Sequence, residues 1–263
     1  MITLLGTLGR MALNALFAAL QVCVLMVDTV KWILVAPVTG RGLRLRASVE
    51  RFVEYGVRSL PIVGLICFLV GAIMALQAAT QLSRYGALSL VASLVGVAAL
   101  REFAPLMTAI IITGRSGSSI TAAIGTMKVS EEIDALEVMG LHPTKYLVVP
   151  PFLGMLLALP CLTVLAMAIM IAGGYLVGTA WLNIDPATYL SQTIKTMHLR
   201  DFATGMTKSV FFALVICWVG VYRGFQVQGG AEGVGRMTTS SVVTSIFLII
   251  IVDLVFTTLF FSG

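Results

Sequence analysis

Between Ser59 and Ser83 the chain carries no charged residue, and the same holds from Tyr146 to Ile184. A helix of about 20 apolar residues spans the hydrocarbon core of a bilayer, where a chain must satisfy its own backbone polar groups. Three further runs of that length are broken only by isolated charges: Tyr85 to Gly114 by Arg101 and Glu102, Phe202 to Tyr222 by Lys208, and Met237 to Phe261 by Asp253. These five runs define about five transmembrane helices. With 59% hydrophobic and 11% charged residues, against roughly 25% charged in soluble domains, the chain reads as an all-α integral membrane protein.

Ahead of the first span, Arg10, Asn14, Gln21, Asp28 and Lys31 fall on one narrow stripe of an otherwise apolar helix that ends near Trp32 and Pro37. Such a stripe suits an amphipathic helix lying in the membrane interface, and a sixth span with its stripe toward the bundle is the competing reading. Seven of the 17 Lys and Arg lie before residue 59, among them Arg41, Arg44, Arg46, Arg51 and Arg58. Positive charge is retained in the cytoplasm, so the N-terminus is expected inside and, after five spans, the C-terminus outside. The net charge of +5 therefore reports orientation, and no nucleic-acid partner is expected. Cys23, Cys67, Cys161 and Cys217 lie in separate apolar runs and read as small buried hydrophobes. No metal site is expected, since neither His142 nor His198 has a second ligand at suitable spacing. No cleavable signal peptide and no internal repeat are evident.

Between the second and third spans lies an acidic island, Val129 to Gly140. Ser130 is a suitable N-cap, Glu131 and Glu132 suit the positive end of a helix dipole, and Gly140 followed by Pro143 ends the element after about two to three turns. Ile133, Leu136 and Met139 recur every three residues as an apolar ridge, with Glu132, Asp134 and Glu137 beside it. A short cytoplasmic helix of this kind is marginal alone and wants a groove.

A charge at bilayer depth costs at least about 2.5–3.5 kcal/mol, so Arg101, Glu102, Lys208 and Asp253 must face one another, a partner or a wet cavity. Enzymatic signatures fail. Gly114-Arg-Ser-Gly-Ser118 is not a nucleophile elbow, and Gly229-Gly-Ala-Glu-Gly-Val-Gly235 lacks the Lys-Ser/Thr of a phosphate loop, so this chain should not bind ATP itself. Lys208 and Ser209 lack a third orienting group, which weakens a reading as an intramembrane enzyme. A proton-coupled carrier using Glu102 and Asp253 is the alternative transport reading.

The segment Asp134-Ala-Leu-x-x-x-Gly140 resembles the cytoplasmic coupling motif of ABC permeases. With Leu100-Arg-Glu-Phe-Ala-Pro105, Gly114-Arg-Ser-Gly-Ser118, Lys208-Ser-Val-Phe-Phe212 and the Gly229–Gly235 run in that order, the chain from about residue 50 onward resembles the MlaE/YrbE family, permease subunits of MCE-type phospholipid ABC transporters. The resemblance implies one permease domain over residues 1–263, with the interfacial helix and basic segment in 1–56 and the transmembrane helices in 57–263. It implies a homodimer in a bacterial inner membrane that maintains outer-membrane lipid asymmetry, with a cytoplasmic ATPase bound to each copy and a periplasmic ring of MCE-domain proteins above. The permease carries no cofactor, and ATP with magnesium belongs to the ATPase. The coupling helix is then Glu131, Glu132, Ile133, Asp134, Leu136, Glu137 and Met139. Phospholipid is expected against Met74, Leu82, Tyr85, Arg101, Glu102 and Phe103, with Gln81 standing where a more apolar residue is usual.

Overall fold

The computed structural model describes residues 20–33 and 44–261, and every regular element among them is a helix. A first helix, α1, covers residues 20–33. Then follow α2 (Leu45–Tyr55), α3 (Leu60–Leu82), α4 (Leu90–Ala98), α5 (Ala104–Ile112), α6 (Ser118–Val129), α7 (Glu132–Val138), α8 (Val149–Ala180), α9 (Pro186–Thr196), α10 (Leu199–Phe225) and α11 (Gly230–Phe261). Five stretches are long and apolar enough to cross a membrane: Leu45–Tyr85, Leu90–Val129, Thr144–Ala180, Leu199–Phe225 and Gly230–Phe260.

The first two stretches outrun the apolar runs that announce them. The basic segment after residue 44 is not a loop: α2 continues almost directly into α3 and packs along α8. The polar stretch after Gly114 is likewise helical, because Ser116, Ile120, Thr121 and Ile124 turn inward, and α6 packs on α10 and α11. There Thr121 Oγ1 reaches Gly220 O at 3.0 Å and Ser241 Oγ at 2.8 Å, a polar knot joining three helices. Pro150 and Pro151 sit at the start of α8, directly after a π segment at Thr144–Val148, while Pro160 lies inside the helix.

Two wider turns interrupt the second stretch, five-residue π segments at Ala99–Phe103 and Thr113–Gly117. Each carries a charge, Arg101 and Glu102 in the first and Arg115 in the second; Arg115 Nη1 donates to Ser59 Oγ at 2.5 Å. Such insertions re-aim side chains within an otherwise regular helix.

At one end of the bundle sit the start of α2, all of α7, the end of α10 and the start of α11; the opposite end holds the end of α3 and all of α9. Both ends of α1 touch the α7 end. Tyr222 Oη donates to Gln21 Oε1 at 3.2 Å, and the Trp32 ring lies 5.0 Å from His142, with Lys145 Nζ 5.6 Å from its centre. Leu20, Val24, Val27 and Val30 are exposed on its outer side. A helix lying across the bundle end has this arrangement, with its apolar face to lipid. Arg10 and Asn14 of the polar stripe lie outside the described residues.

Two of the four cysteines depart from expectation. Cys67 and Cys217 are buried, but Cys23 and Cys161 are exposed, on faces that a membrane would cover.

Candidate functional site

The π segment Ala99–Phe103 turns Glu102 toward α10 and α11. Lys208, on α10, has no exposed surface; its Nζ donates to Glu102 Oε2 at 2.5 Å and to Thr257 Oγ1 at 2.7 Å, and lies 2.9 Å from Asp253 Oδ1. Thr257 Oγ1 in turn donates to Glu102 Oε1 at 3.0 Å. Three of the four intramembrane charges thus form one network, and Lys208 is its centre. A buried ammonium has three protons to place; Glu102 and Thr257 accept two of them, and Asp253 stands by as a second counter-charge, its Oδ1 accepting no hydrogen bond.

The fourth charge goes elsewhere. Arg101 Nε donates to Asp201 Oδ1 at 2.5 Å, and Asp201, just ahead of the apolar run that starts at Phe202, is buried. Asp201 Oδ2 also accepts from the backbone N–H of His198 at 2.9 Å, one half of a capping box that starts α10. The spacing His198-x-x-Asp201 was the available signal for this carboxylate. Nearby, Asp185 caps α9: its carboxylate accepts from the Thr188 backbone N–H at 2.8 Å and from the Thr188 hydroxyl at 3.0 Å, which together hold its pKa below the usual value.

The other residues expected against lipid are not gathered into one enclosure by this chain. Met74 and Leu82 pack on an apolar cluster of Ala75, Ala79, Val91, Val95 and Val177. Tyr85 is 82% exposed and Phe103 38% exposed.

The acidic helix α7 differs from expectation in three ways. Ser130 is not its N-cap: it closes α6, and its Oγ donates to Thr126 O at 2.9 Å. Glu131 instead takes a left-handed conformation, φ 57°, that turns the chain between α6 and α7. Helix α6 runs further than its composition suggests and takes Ser130 with it. The ridge is also divided, because Ile133 is buried in the bundle's own core and Leu136 is half-buried, whereas Val138 and Met139 are 89% and 65% exposed. Ile133 anchors the helix; the outward apolar surface is Val138 with Met139. Its far end is as expected: Gly140 has φ 72°, Leu141 N–H reaches Leu136 O, and Gly140 N–H reaches Glu137 O, a Schellman close. Glu131, Glu132, Asp134 and Glu137 are exposed around it, with Asp134 Oδ1 accepting from Lys128 Nζ at 3.0 Å. No group of three metal-ligating side chains occurs among the described residues.

Five helices long and apolar enough to cross a membrane, a buried ion network between three of them and a short helix exposed at one end define a polytopic membrane protein. Residues 48–259 match the family model described as Permease MlaE, and the chain belongs to that family. It is 37% identical over 231 residues to a Rickettsia typhi protein named "Probable ABC transporter permease protein", covering 88% of this chain and 89% of that one. A Synechocystis protein of the same description is 35% identical, covering 83% of each chain. The Haemophilus influenzae "Intermembrane phospholipid transport system permease protein MlaE" is 33% identical, covering 79% of this chain and 80% of that one.

Proposed function

We propose that this chain is the membrane subunit of an ABC transporter that moves phospholipid between a bacterial inner membrane and a periplasmic ring of MCE-domain proteins, and so maintains outer-membrane lipid asymmetry. The observation that carries the reading is α7, a rigidly mounted helix with Val138 and Met139 bare at its tip. Ile133 in the core and the Schellman close hold its angle, so force applied at the tip would be passed to α6, on which α7 packs. A cytoplasmic ATPase with a groove for this tip would supply the force.

Two copies of the chain complete the lipid path. Phe103 and Arg101, either side of Glu102, are exposed, as is Tyr85 at the end of α3, and α11 leaves Val243, Phe247, Ile250 and Leu254 exposed. A second copy facing this surface would enclose a cavity with apolar walls for acyl chains and Arg101 and Glu102 for the headgroup. Met74 and Leu82 would form its apolar backing.

The test is Val138→Asp with Met139→Asp. Both side chains are exposed, so the variant is expected to insert and fold normally while losing ATPase co-purification and at least about tenfold of permease-stimulated ATP turnover, the effect of losing about 1.4 kcal/mol of docking. Unchanged turnover would remove α7 from the coupling role. One observation favours the proton-carrier alternative: Glu102 and Asp253 share Lys208. Lipid passage that persists without ATP but collapses with the proton gradient would establish that reading instead.

A further inference from the structure

Away from the Lys208 network, α2, α6 and the start of α8 converge on a cavity of about 440 Å³ at the α7 end. Arg44, Met127 and Tyr146 stand at its mouth, and Tyr55, Ile120 and Pro151 at its depth. The wall formed by α2 runs over Leu45–Tyr55, about 16 Å at 1.5 Å per residue. That length exceeds one inserted side chain and suits a lipid headgroup with its glycerol and first methylenes.

Two guanidiniums and two carboxylates line the cavity along this wall, Arg44 and Arg51 with Glu50 and Glu54. Arg51 Nη1 lies 2.7 Å from Glu54 Oε2, each side chain more than a third accessible, and the Arg44 guanidinium sits 5.3 Å above the Tyr146 ring. Glu50 lies 3.4 Å from Arg46, whose exposed side chain does not line the cavity. Ile120, Ile124 and Leu147 make the floor apolar. A lone anion entering here meets two carboxylates and a lone cation meets two guanidiniums, whereas a molecule carrying both a phosphate and an ammonium complements the whole set. A second groove, lined by Val49, Val53 and Arg58, shares Glu50 and Glu54 with the cavity and would let acyl chains remain in the bilayer.

We infer that this cavity is a second lipid site, which takes an amine-bearing zwitterionic phospholipid from the leaflet on the α7 side, phosphate toward Arg44 and Arg51, ammonium toward Glu50 and Glu54. The inference rests on the phospholipid-transport reading above and adds to it a station in the other leaflet, where lipid enters or leaves the permease with its headgroup already selected.

The test uses the assembled transporter in nanodiscs of equimolar phosphatidylethanolamine and phosphatidylglycerol, with photoreactive benzoylphenylalanine replacing Ala123, which is exposed on the α6 side of the cavity. Lipid adducts are expected, with the ethanolamine lipid favoured about tenfold, the worth of one charge-assisted hydrogen bond. Glu50→Gln with Glu54→Gln should bring the two lipids to parity or reverse them. Native mass spectrometry of the unsubstituted transporter repeats the comparison without the probe residue. Equal retention of both lipids overturns the inference. So does an adduct to protein, whether an ATPase subunit or another part of this chain. ATP turnover and lipid passage are measured on the same samples: if both persist without selective labelling, only the second site falls, and if both are absent the transport reading falls first.

Discussion

Lys208 shows how one residue ties the bundle together. It draws Glu102 from the second span and Asp253 from the last onto α10, so three helices are held by one ammonium. Removing one member of a buried ion set leaves the others uncompensated, which costs about 3–5 kcal/mol. Lys208→Met is therefore expected to lower the thermal midpoint of the detergent-solubilised protein sharply. The triple variant Lys208→Met, Glu102→Gln, Asp253→Asn should recover the midpoint yet still fail to pass lipid. If the single variant melts like the parent, the network does not hold the helices. The need for partners was legible in the sequence, since four charges stood inside apolar runs. Their pairing was not, because pairing depends on helix rotation. Asp201 was missed because it sits beside Arg200, just ahead of the apolar run that starts at Phe202, although its capping geometry buries it.

At the scale of the element, close approach does what ion pairs do not. Helices α3 and α8 touch backbone to backbone: a Cβ on Gly71 would collide with the Met170 carbonyl oxygen, and one on Gly173 with that of Phe68. Small residues of this kind let helices associate in lipid, where no hydrophobic force drives them together. Gly173→Ala should destabilise by about 1–3 kcal/mol, the usual cost of overpacking, read as a lower thermal midpoint. Gly114→Ala, with nothing within 4 Å of the added carbon, should leave it unchanged or raise it. Equal effects at both positions would mean that the α3–α8 contact is not limiting. The spans themselves were legible from apolar runs alone. Their true lengths were not, because Arg46, Arg51 and Arg115 break a hydropathy window without breaking a helix, and Ser130 fits an N-cap pattern that the continuation of α6 pre-empts.

For the whole molecule, sidedness decides whether the parts form a transporter. Arg44, Arg46, Lys128, Lys145, Arg223 and Arg236 gather at the α7 end, whereas the α9 end has Arg84, Lys195 and Arg200. On the proposed reading, retention of positive charge would put α7 where ATP is available and α9, with its exposed Leu190 and Ile194, on the opposite side. The basic bias was legible from the sequence, and so was the preference of the polar stripe for an interfacial helix over a sixth span; the contacts of α1 with Tyr222 and His142 were not, because they join segments far apart in the chain. Cysteine accessibility separates the outcomes. In a background where Cys23 and Cys161, the exposed cysteines, are replaced by Ala, Ser191→Cys on α9 should react with an impermeant maleimide in intact spheroplasts. Val138→Cys should react only after the membrane is opened, with a difference of about tenfold or more for a fully sided protein, because lipid bars the charged reagent. The reverse pattern would place Val138 and Met139 outside, beyond the reach of any ATPase, and the coupling role of α7 would be untenable whatever the family.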